Sequence, residues 1–181
     1  EFLSDNLVFR GGTALHKLYL QPQCRYSEDI DLVQKKPGPI KEIITQLQKS
    51  MSFSGYPIVK QKINNNTLVY RFNSENITPV PLKLKIEINC REHFSILGYT
   101  TKGFNVDSQW FKGSCDIQTY HLEEMAGTKI RALYQRRKGR DLYDLYKTVC
   151  YPNLNIEQVI TCYYKYMKFV VNNLPTQKQF L

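Results

Sequence analysis

A glycine pair followed by a hydroxyl residue, Gly11-Gly12-Thr13, constrains the fold of this sequence more than any other feature. Val8 and Phe9 before it predict the end of a short apolar strand, and residues 14–20 after it predict a short helix. The glycines therefore lie where a strand turns into a helix N-terminus, and free backbone N–H groups there attract an anion. Glycine lets the backbone approach a phosphate closely, and Thr13 is suited to cap the helix or to contact that phosphate.

Two carboxylates follow in the segment Asp29-Ile30-Asp31. Residues two apart in a strand point to the same face, so both carboxylates project together while Ile30 faces the core. A divalent cation relieves their mutual repulsion, and Mg²⁺ is usually held by one or two carboxylates together with substrate phosphates. Taken singly, the glycine motif also fits an ordinary turn and the aspartates a solvated strand end. Their order and proximity favour a metal-dependent nucleotidyltransferase.

Residues 82–91 are the clearest strand in the sequence, because apolar residues alternate there with polar ones. If the polar face borders the strand of Asp29 and Asp31, Glu87 becomes a third carboxylate that completes a metal site or helps to deprotonate an acceptor hydroxyl. A solvated sheet face on which Lys85 pairs with Glu87 is an equally good interpretation. Residues 57–63 and 68–72 predict a hairpin, and residues 92–120 predict irregular structure with one further strand.

From Leu122 the periodicity becomes helical. Lys129 falls inside the apolar stripe of the first helix, so it must snorkel, pair with a carboxylate or point into a polar cavity. Arg131 projects to the opposite side and is expected in solvent, and Gly139 is expected to end this helix. For the next helix the predicted buried stripe consists of Leu142, Leu145, Tyr146 and Val149. Asp141 borders that stripe as an ordinary first-turn acid, and Asp144 is expected towards solvent.

The segments Gly-Gly-Thr-Ala-Leu (11–15), Arg-Tyr-Ser-Glu-Asp-Ile-Asp-Leu (25–32), Lys-Leu-Lys-Ile-Glu-Ile-Asn (83–89) and residues 124–144 together resemble the AbiEii family of nucleotidyltransferase toxins. This family lies within the DNA polymerase beta-like superfamily and includes the related MenT-type toxins. The resemblance implies an α/β (α+β) nucleotidyltransferase fold, with a small mixed twisted sheet flanked by helices. The change to helical periodicity at Leu122 predicts a boundary that separates a catalytic domain over residues 1–118 from a C-terminal helical subdomain over 119–181. The first residues run directly into a strand, which favours a preceding segment, and members of this family often continue with further helices after such a C-terminal segment.

The resemblance also implies roles for particular residues. Lys129 and Asp141 match a lysine and an aspartate that the family needs for activity, with Asp141 orienting Lys129 or the acceptor. Asp29 and Asp31, with Glu87 as a third ligand, would bind Mg²⁺ or Mn²⁺. The triphosphate of an NTP substrate would be held by Gly11, Gly12, Thr13, Ser27 and Lys129, and also by Arg25 unless that arginine is an ordinary loop residue.

The expected reaction is NMP transfer from an NTP by the toxin of a type IV-like toxin–antitoxin pair, with the 3′ end of tRNA as acceptor and a cognate antitoxin as partner. The net charge of +9 favours a polyanionic partner. Five cysteines without metal spacing predict a reducing, cytoplasmic setting, and no apolar run approaches the ~20 residues that span a membrane. A protein or small-molecule acceptor, or an inactive RNA- or nucleotide-binding module, are the alternatives.

Overall fold

The computed structural model describes residues 1–62 and 64–180. The strands are β1 (Leu7–Arg10), β2 (Ile30–Gln34), β3 (Ile58–Lys62), β4 (Asn65–Asn73), β5 (Pro81–Asn89), β6 (Tyr99–Asp107) and β7 (Lys112–Tyr120). The helices are α1 (Phe2–Asn6), α2 (Gly11–Leu18), α3 (Lys41–Ser50), α4 (Leu122–Arg136), α5 (Gly139–Val149), α6 (Ile156–Lys168) and α7 (Gln177–Phe180), with a 3₁₀ turn at Ser52–Ser54.

All seven strands of the described ranges join one mixed sheet in the order β3-β4-β5-β2-β1-β7-β6. Strand β2 runs antiparallel to β1 and parallel to β5, so it is paired along both edges at the centre of the sheet. The register sets Asp31 opposite Arg10 on one side and beside Glu87 on the other. The predicted mixed sheet flanked by helices is therefore confirmed.

The two faces of the sheet are covered by different helices. Side chains alternate along β1, so Leu7 packs with α3 on one face while Val8 packs with α2 and α4 on the other. Val33 joins Val8 in the second of these clusters. Asp31 lies two residues before Val33 and therefore projects to the face that α2 and α4 cover. This alternation decides where the site forms.

Residues 92–120 differ from the prediction. They contain two nine-residue strands, β6 and β7, which pair antiparallel as a hairpin. Strand β7 then pairs in parallel with β1, so a segment expected to be largely irregular forms one edge of the sheet. The predicted hairpin of β3 and β4 is present, but β4 begins at Asn65 and not at residue 68, and Ile63 lies outside the described residues.

The C-terminal helices α5 and α6 both pack against α4. The bounds of α4 and α5 correct one prediction, because α4 ends at Arg136 with Arg137 in the left-handed conformation, and Gly139 begins α5. The division of the chain at residues 118 and 119 stays a prediction, and its last residue, Leu181, lies outside the described residues. None of the described helices has the length and apolar character needed to span a bilayer.

Helix α5 is oriented opposite to its apolar pattern. Asp141 and Asp144 are completely buried, whereas Leu142, Tyr146 and Val149 are 58%, 62% and 60% exposed. The predicted stripe of residues 142, 146 and 149, and the predicted solvent position of Asp144, are therefore wrong. The physical reason is that both aspartates find cationic partners inside the protein, and those ion pairs set the rotation of the helix.

Candidate active site

Three carboxylates lie on or next to the neighbouring strands β2 and β5 at the centre of the sheet. The parallel pairing of β2 with β5 sets Asp31 beside Glu87, and Asp29 directly precedes β2. The Lys85 ammonium lies 3.2 Å from Asp29 Oδ2 and 3.0 Å from Glu87 Oε1. The carboxylates that the sequence analysis singled out are thus brought together, and the Lys85–Glu87 pair of the alternative interpretation is present as well.

The pKa of the Asp31 carboxyl group is shifted by its surroundings. Burial and the negative charges of Glu87 and Asp29 raise its pKa from 3.8 to about 6, although Arg10 and Lys129 act in the opposite direction. A raised pKa means that the ionised form is poorly stabilised by the protein alone. A bound cation would supply the missing stabilisation.

These residues suit a metal ion only in combination with a substrate. Within residues 1–62 and 64–180, no three His, Cys, Asp or Glu side chains already converge as a metal cage. However, the ammonium of Lys85 between Asp29 and Glu87 demonstrates that a cation is accommodated there. Mg²⁺ typically takes only one or two carboxylates and completes its coordination with phosphate oxygens and water. The donor set therefore fits a divalent ion that binds together with phosphates.

The glycine pair opens a small polar space beside these carboxylates. Gly11 has φ +82° and its hydrogen faces Asp31 Oδ2, where a Cβ would overlap the carboxylate. A Cβ on Gly12 would lie 2.8 Å from Arg25 Nη2, 3.2 Å from Ser27 Oγ and 3.6 Å from Lys129 Nζ. Three polar side chains therefore converge on the N-terminus of α2, which is the geometry of an anion site.

Thr13 does not face the space beside Gly12 in the way that Arg25, Ser27 and Lys129 do. Its side chain is buried, and its hydroxyl donates to the backbone carbonyl of Asp29 and lies 2.9 Å from Ser27 Oγ. Thr13 thus fastens the loop that carries Ser27 and Asp29 to the start of α2. Any contact between its hydroxyl and a phosphate stays a prediction.

Asp144 is the central residue of the adjoining ion-pair network, although the sequence pattern assigned it to solvent. It accepts two hydrogen bonds from the Arg25 guanidinium, with both N–O distances 2.7 Å. Its further contacts are with Lys129 Nζ at 2.7 Å and with His16 Nε2 at 2.8 Å. Burial alone would raise the pKa of Asp144, but these partners outweigh it and hold the pKa well below its usual range.

Lys129 is buried and paired, as its place in an apolar stripe requires. Its ammonium contacts Asp141 at 3.3 Å in addition to Asp144, and Asp141 also accepts a 2.9 Å hydrogen bond from Arg136. Two carboxylates thus hold the ammonium, which lies 3.6 Å from the place where a Cβ on Gly12 would be. Asp141 and Asp144 are three residues apart, and this spacing puts both on one helical face. It is the sequence feature from which a site next to Asp141 could have been predicted for Asp144.

A second buried network holds α4 against the sheet. Glu92 accepts from Arg10 at 2.6 Å and from Arg131 at 2.7 Å. Arg131 is only 8% exposed, so its predicted solvent position is wrong. Burial would raise the pKa of Glu92, but the two guanidinium groups lower it to about 2. The pairing therefore links β1 to α4 and fixes Lys129 relative to Asp31.

A polar cavity of about 460 Å³ adjoins the site. Its walls include Asp31, Glu87 and Lys129, together with the amides of Asn89 and Gln135. The carboxylates and the buried lysine therefore face a common space of the size of a nucleotide-binding pocket.

Residues 1–178 match the family model described as nucleotidyl transferase AbiEii toxin, type IV TA system. The chain belongs to the AbiEii family. No curated protein is significantly similar to the sequence. AbiEii is a family of nucleotidyltransferase toxins, and this membership confirms the resemblance on which the sequence analysis relied.

Solved structures that resemble the chain carry the same fold. MenT4, a nucleotidyltransferase toxin of Mycobacterium tuberculosis, superposes with a TM-score of 0.66 at 18% identity, over 88% of this chain and 55% of that one. JHP933 of Helicobacter pylori gives 0.53 at 23% identity, over 80% of this chain and 58% of that one. A nucleotidyltransferase-like antigen of Paracoccidioides brasiliensis gives 0.53 at 19% identity, over 90% and 79%. The chain thus spans little more than half of the first two proteins.

Proposed function

We propose that this AbiEii protein transfers NMP from an NTP to an acceptor hydroxyl and releases pyrophosphate. The observation that carries the proposal is the meeting of two groups at one cavity: the carboxylates of Asp31 and Glu87, and the cradle at Gly12 with Lys129 above it. Carboxylates beside an anion site fit metal-assisted phosphoryl transfer, because that chemistry depends on positioning and on charge neutralisation.

Different residues of the chain would bind the triphosphate and the metal ion. The backbone N–H groups at Gly12, with Ser27, Arg25 and Lys129, bind the triphosphate. Asp29 and Asp31, assisted by Glu87, would hold Mg²⁺ or Mn²⁺, which neutralises phosphate charge and lowers the pKa of a bound hydroxyl.

The transfer itself exchanges one bond for another. The acceptor oxygen forms a bond to the α-phosphorus while the bond from that phosphorus to the bridging oxygen breaks, and Glu87 accepts the hydroxyl proton. Lys129 then offsets the charge on the departing pyrophosphate, held in position by Asp141 and Asp144.

The proposed acceptor is RNA, and specifically the 3′ end of tRNA. A cluster of exposed basic residues extends from the last residue of α4, the helix that carries Lys129, into the first turn of α5. Its members are Arg136, Arg137, Lys138 and Arg140. Together with the net charge of +9, they would attract a phosphate backbone to the mouth of the site. The proposed biological role is that of the toxin in a type IV toxin–antitoxin pair, with an antitoxin as partner, acting in the cytoplasm.

The test is to incubate the purified protein with each α-labelled NTP, Mg²⁺ and total tRNA. We expect label on tRNA, and we expect Asp29→Ala, Asp31→Ala and Lys129→Ala to abolish it while the fold persists. Asp107→Ala is the matched control, because Asp107 is an exposed acid in a surface ion pair. Label on the protein would indicate a different acceptor. Retained NTP binding without label would indicate an inactive binding module, and full activity of Asp31→Ala would refute the metal assignment.

A further inference from the structure

Lys85 has a position that the proposed reaction does not use. It lies two residues before Glu87 on β5, so both side chains project to the same face of the sheet. The register of β5 against β2 pairs Ile86 with Ile30, so Lys85 lies close to Asp29, the residue directly before β2. Its ammonium contacts Glu87 Oε1 at 3.0 Å and Asp29 Oδ2 at 3.2 Å.

This arrangement differs from an ordinary surface ion pair, because one ammonium bridges a carboxylate on β5 and a carboxylate directly before β2. Those carboxylates are two of the three groups assigned above to the divalent metal. The Lys85 ammonium therefore offsets the repulsion between the carboxylates of Asp29 and Glu87, which is what a bound metal ion would do. An ammonium and a divalent cation cannot both lie between the same two oxygens, since they would repel each other at contact distance.

We propose that Lys85 is a tethered cation that occupies the metal position between Asp29 and Glu87 and is displaced when metal and nucleotide bind. The inference rests on the proposed function, because it assumes that these carboxylates hold the metal. Lys85 is a positioning residue here, since it acts on the substrate only through the carboxylates of Asp29 and Glu87.

Moving the Lys85 ammonium away from Asp29 and Glu87 costs little free energy, so it can occur each time a substrate binds. The side chains of Lys85, Asp29 and Glu87 are 26%, 37% and 34% exposed, and ion pairs that reach solvent are weak. The lysine stem is flexible, so the ammonium can swing to solvent without moving β5. Lys85 would therefore weaken the binding of metal alone and favour metal that arrives with a triphosphate, whose negative charge compensates for the displaced ammonium.

The test compares Mn²⁺ affinity of the whole chain without nucleotide, from the loss of the free Mn²⁺ electron paramagnetic resonance signal. Lys85→Gln should bind Mn²⁺ about tenfold more tightly than the wild type, because two weak ion-pair contacts no longer compete. Lys83→Gln is the matched control. It removes the same charge from an exposed lysine on the same face of β5, two residues earlier, and should change the affinity less than about twofold.

Thermal unfolding gives a second readout that does not depend on activity. A ligand that binds only the folded state raises its melting temperature, so Mn²⁺ should stabilise Lys85→Gln more than it stabilises the wild type. Lys85→Met, which replaces the unbranched aliphatic stem of lysine with a similar one and removes the ammonium, repeats the experiment if the glutamine variant is poorly folded.

The outcomes separate this inference from the proposed function. Tighter Mn²⁺ binding by Lys85→Gln alone supports the tethered cation. The tethered-cation inference is overturned if Lys85→Gln binds Mn²⁺ no more tightly than the wild type, or if Lys83→Gln gains as much affinity for Mn²⁺. In that case, loss of Mn²⁺ binding in Asp31→Asn would still support the metal site. If no variant binds Mn²⁺ even with a non-hydrolysable NTP, the metal site of the proposed function fails and the role of Lys85 fails with it.

Discussion

The substitution Asp144→Asn nearly preserves the shape of the side chain but removes its charge and one of its two acceptor oxygens. In the folded protein Asp144 contacts Arg25 twice at 2.7 Å, Lys129 at 2.7 Å and His16 at 2.8 Å. An asparagine N–H₂ group would face some of these donors with no lone pair to offer. The variant therefore leaves Arg25 and Lys129 without their shared anion.

The cost follows from the burial of the cluster. Asp144 is fully buried, but the side chains of Arg25 and Lys129 are 21% and 11% exposed and recover some hydration. Breaking a buried ion pair costs about 3–5 kcal/mol, so we expect the lower end, about 3 kcal/mol. For a chain of this size that corresponds to a melting temperature lower by about 10 °C.

Urea unfolding followed by circular dichroism measures this loss as a change in the free energy of unfolding. The matched control is Asp107→Asn, because Asp107 and Lys112 also lie 2.7 Å apart but are 77% and 75% exposed. Exposed pairs contribute little to stability, so the control should behave like the wild type. Equal unfolding free energies for Asp144→Asn and Asp107→Asn would refute the argument that Asp144 is the anionic centre of a buried network.

Three further predictions concern pH, the glycine cradle and helix α5. Because the folded state raises the pKa of Asp31 from 3.8 to about 6, the metal-free folded protein binds this proton more tightly than the unfolded chain does. The unfolding free energy of the wild type, relative to Asp31→Asn, should therefore fall by about 2 kcal/mol between about pH 4 and pH 6 in urea titrations. Gly12→Ala should weaken NTP binding by about tenfold or more, measured by calorimetry, because its Cβ would lie 2.8 Å from Arg25 Nη2 and cost a hydrogen bond to the phosphate. The control Gly139→Ala, whose Cβ meets nothing within 4 Å, should bind NTP like the wild type. Leu142→Ala should change the unfolding free energy by less than about 0.5 kcal/mol, because the side chain is 58% exposed, and a loss of 2 kcal/mol or more would show that α5 is wrongly oriented.

Features that depend on neighbouring residues in the sequence were predictable. The turn at Gly11 into α2 follows from glycine's conformational freedom and the apolar residues on either side. The alternation along β5 and the two-residue spacing of Asp29 and Asp31 follow from the period of a strand. Lys129 could be identified because a charge inside an apolar stripe requires a partner, and the structure supplies Asp141 and Asp144.

The errors have a common physical origin. The apolar residues of α5 predicted one buried face, but two aspartates on the other face found Arg25 and Lys129, and charge pairing outweighed the exposure of Leu142 and Tyr146. In the same way, Arg131 was assigned to solvent because Glu92, its partner, lies 39 positions away in the chain. Helical periodicity records the apolar stripe and contains no information about such distant partners.

The sequence by itself determined the family, the strand–turn–helix at Gly11 and Gly12, and the common direction of Asp29 and Asp31, because each depends on residues within a few positions of one another. Only the tertiary structure decided that Glu87 lies beside Asp31, that Lys85 bridges Asp29 and Glu87, and that Asp144 gathers Arg25, His16 and Lys129. These contacts join segments from different strands and helices. Their geometry is set by the register of the sheet and by buried charge pairing, both of which exist only once the chain has folded.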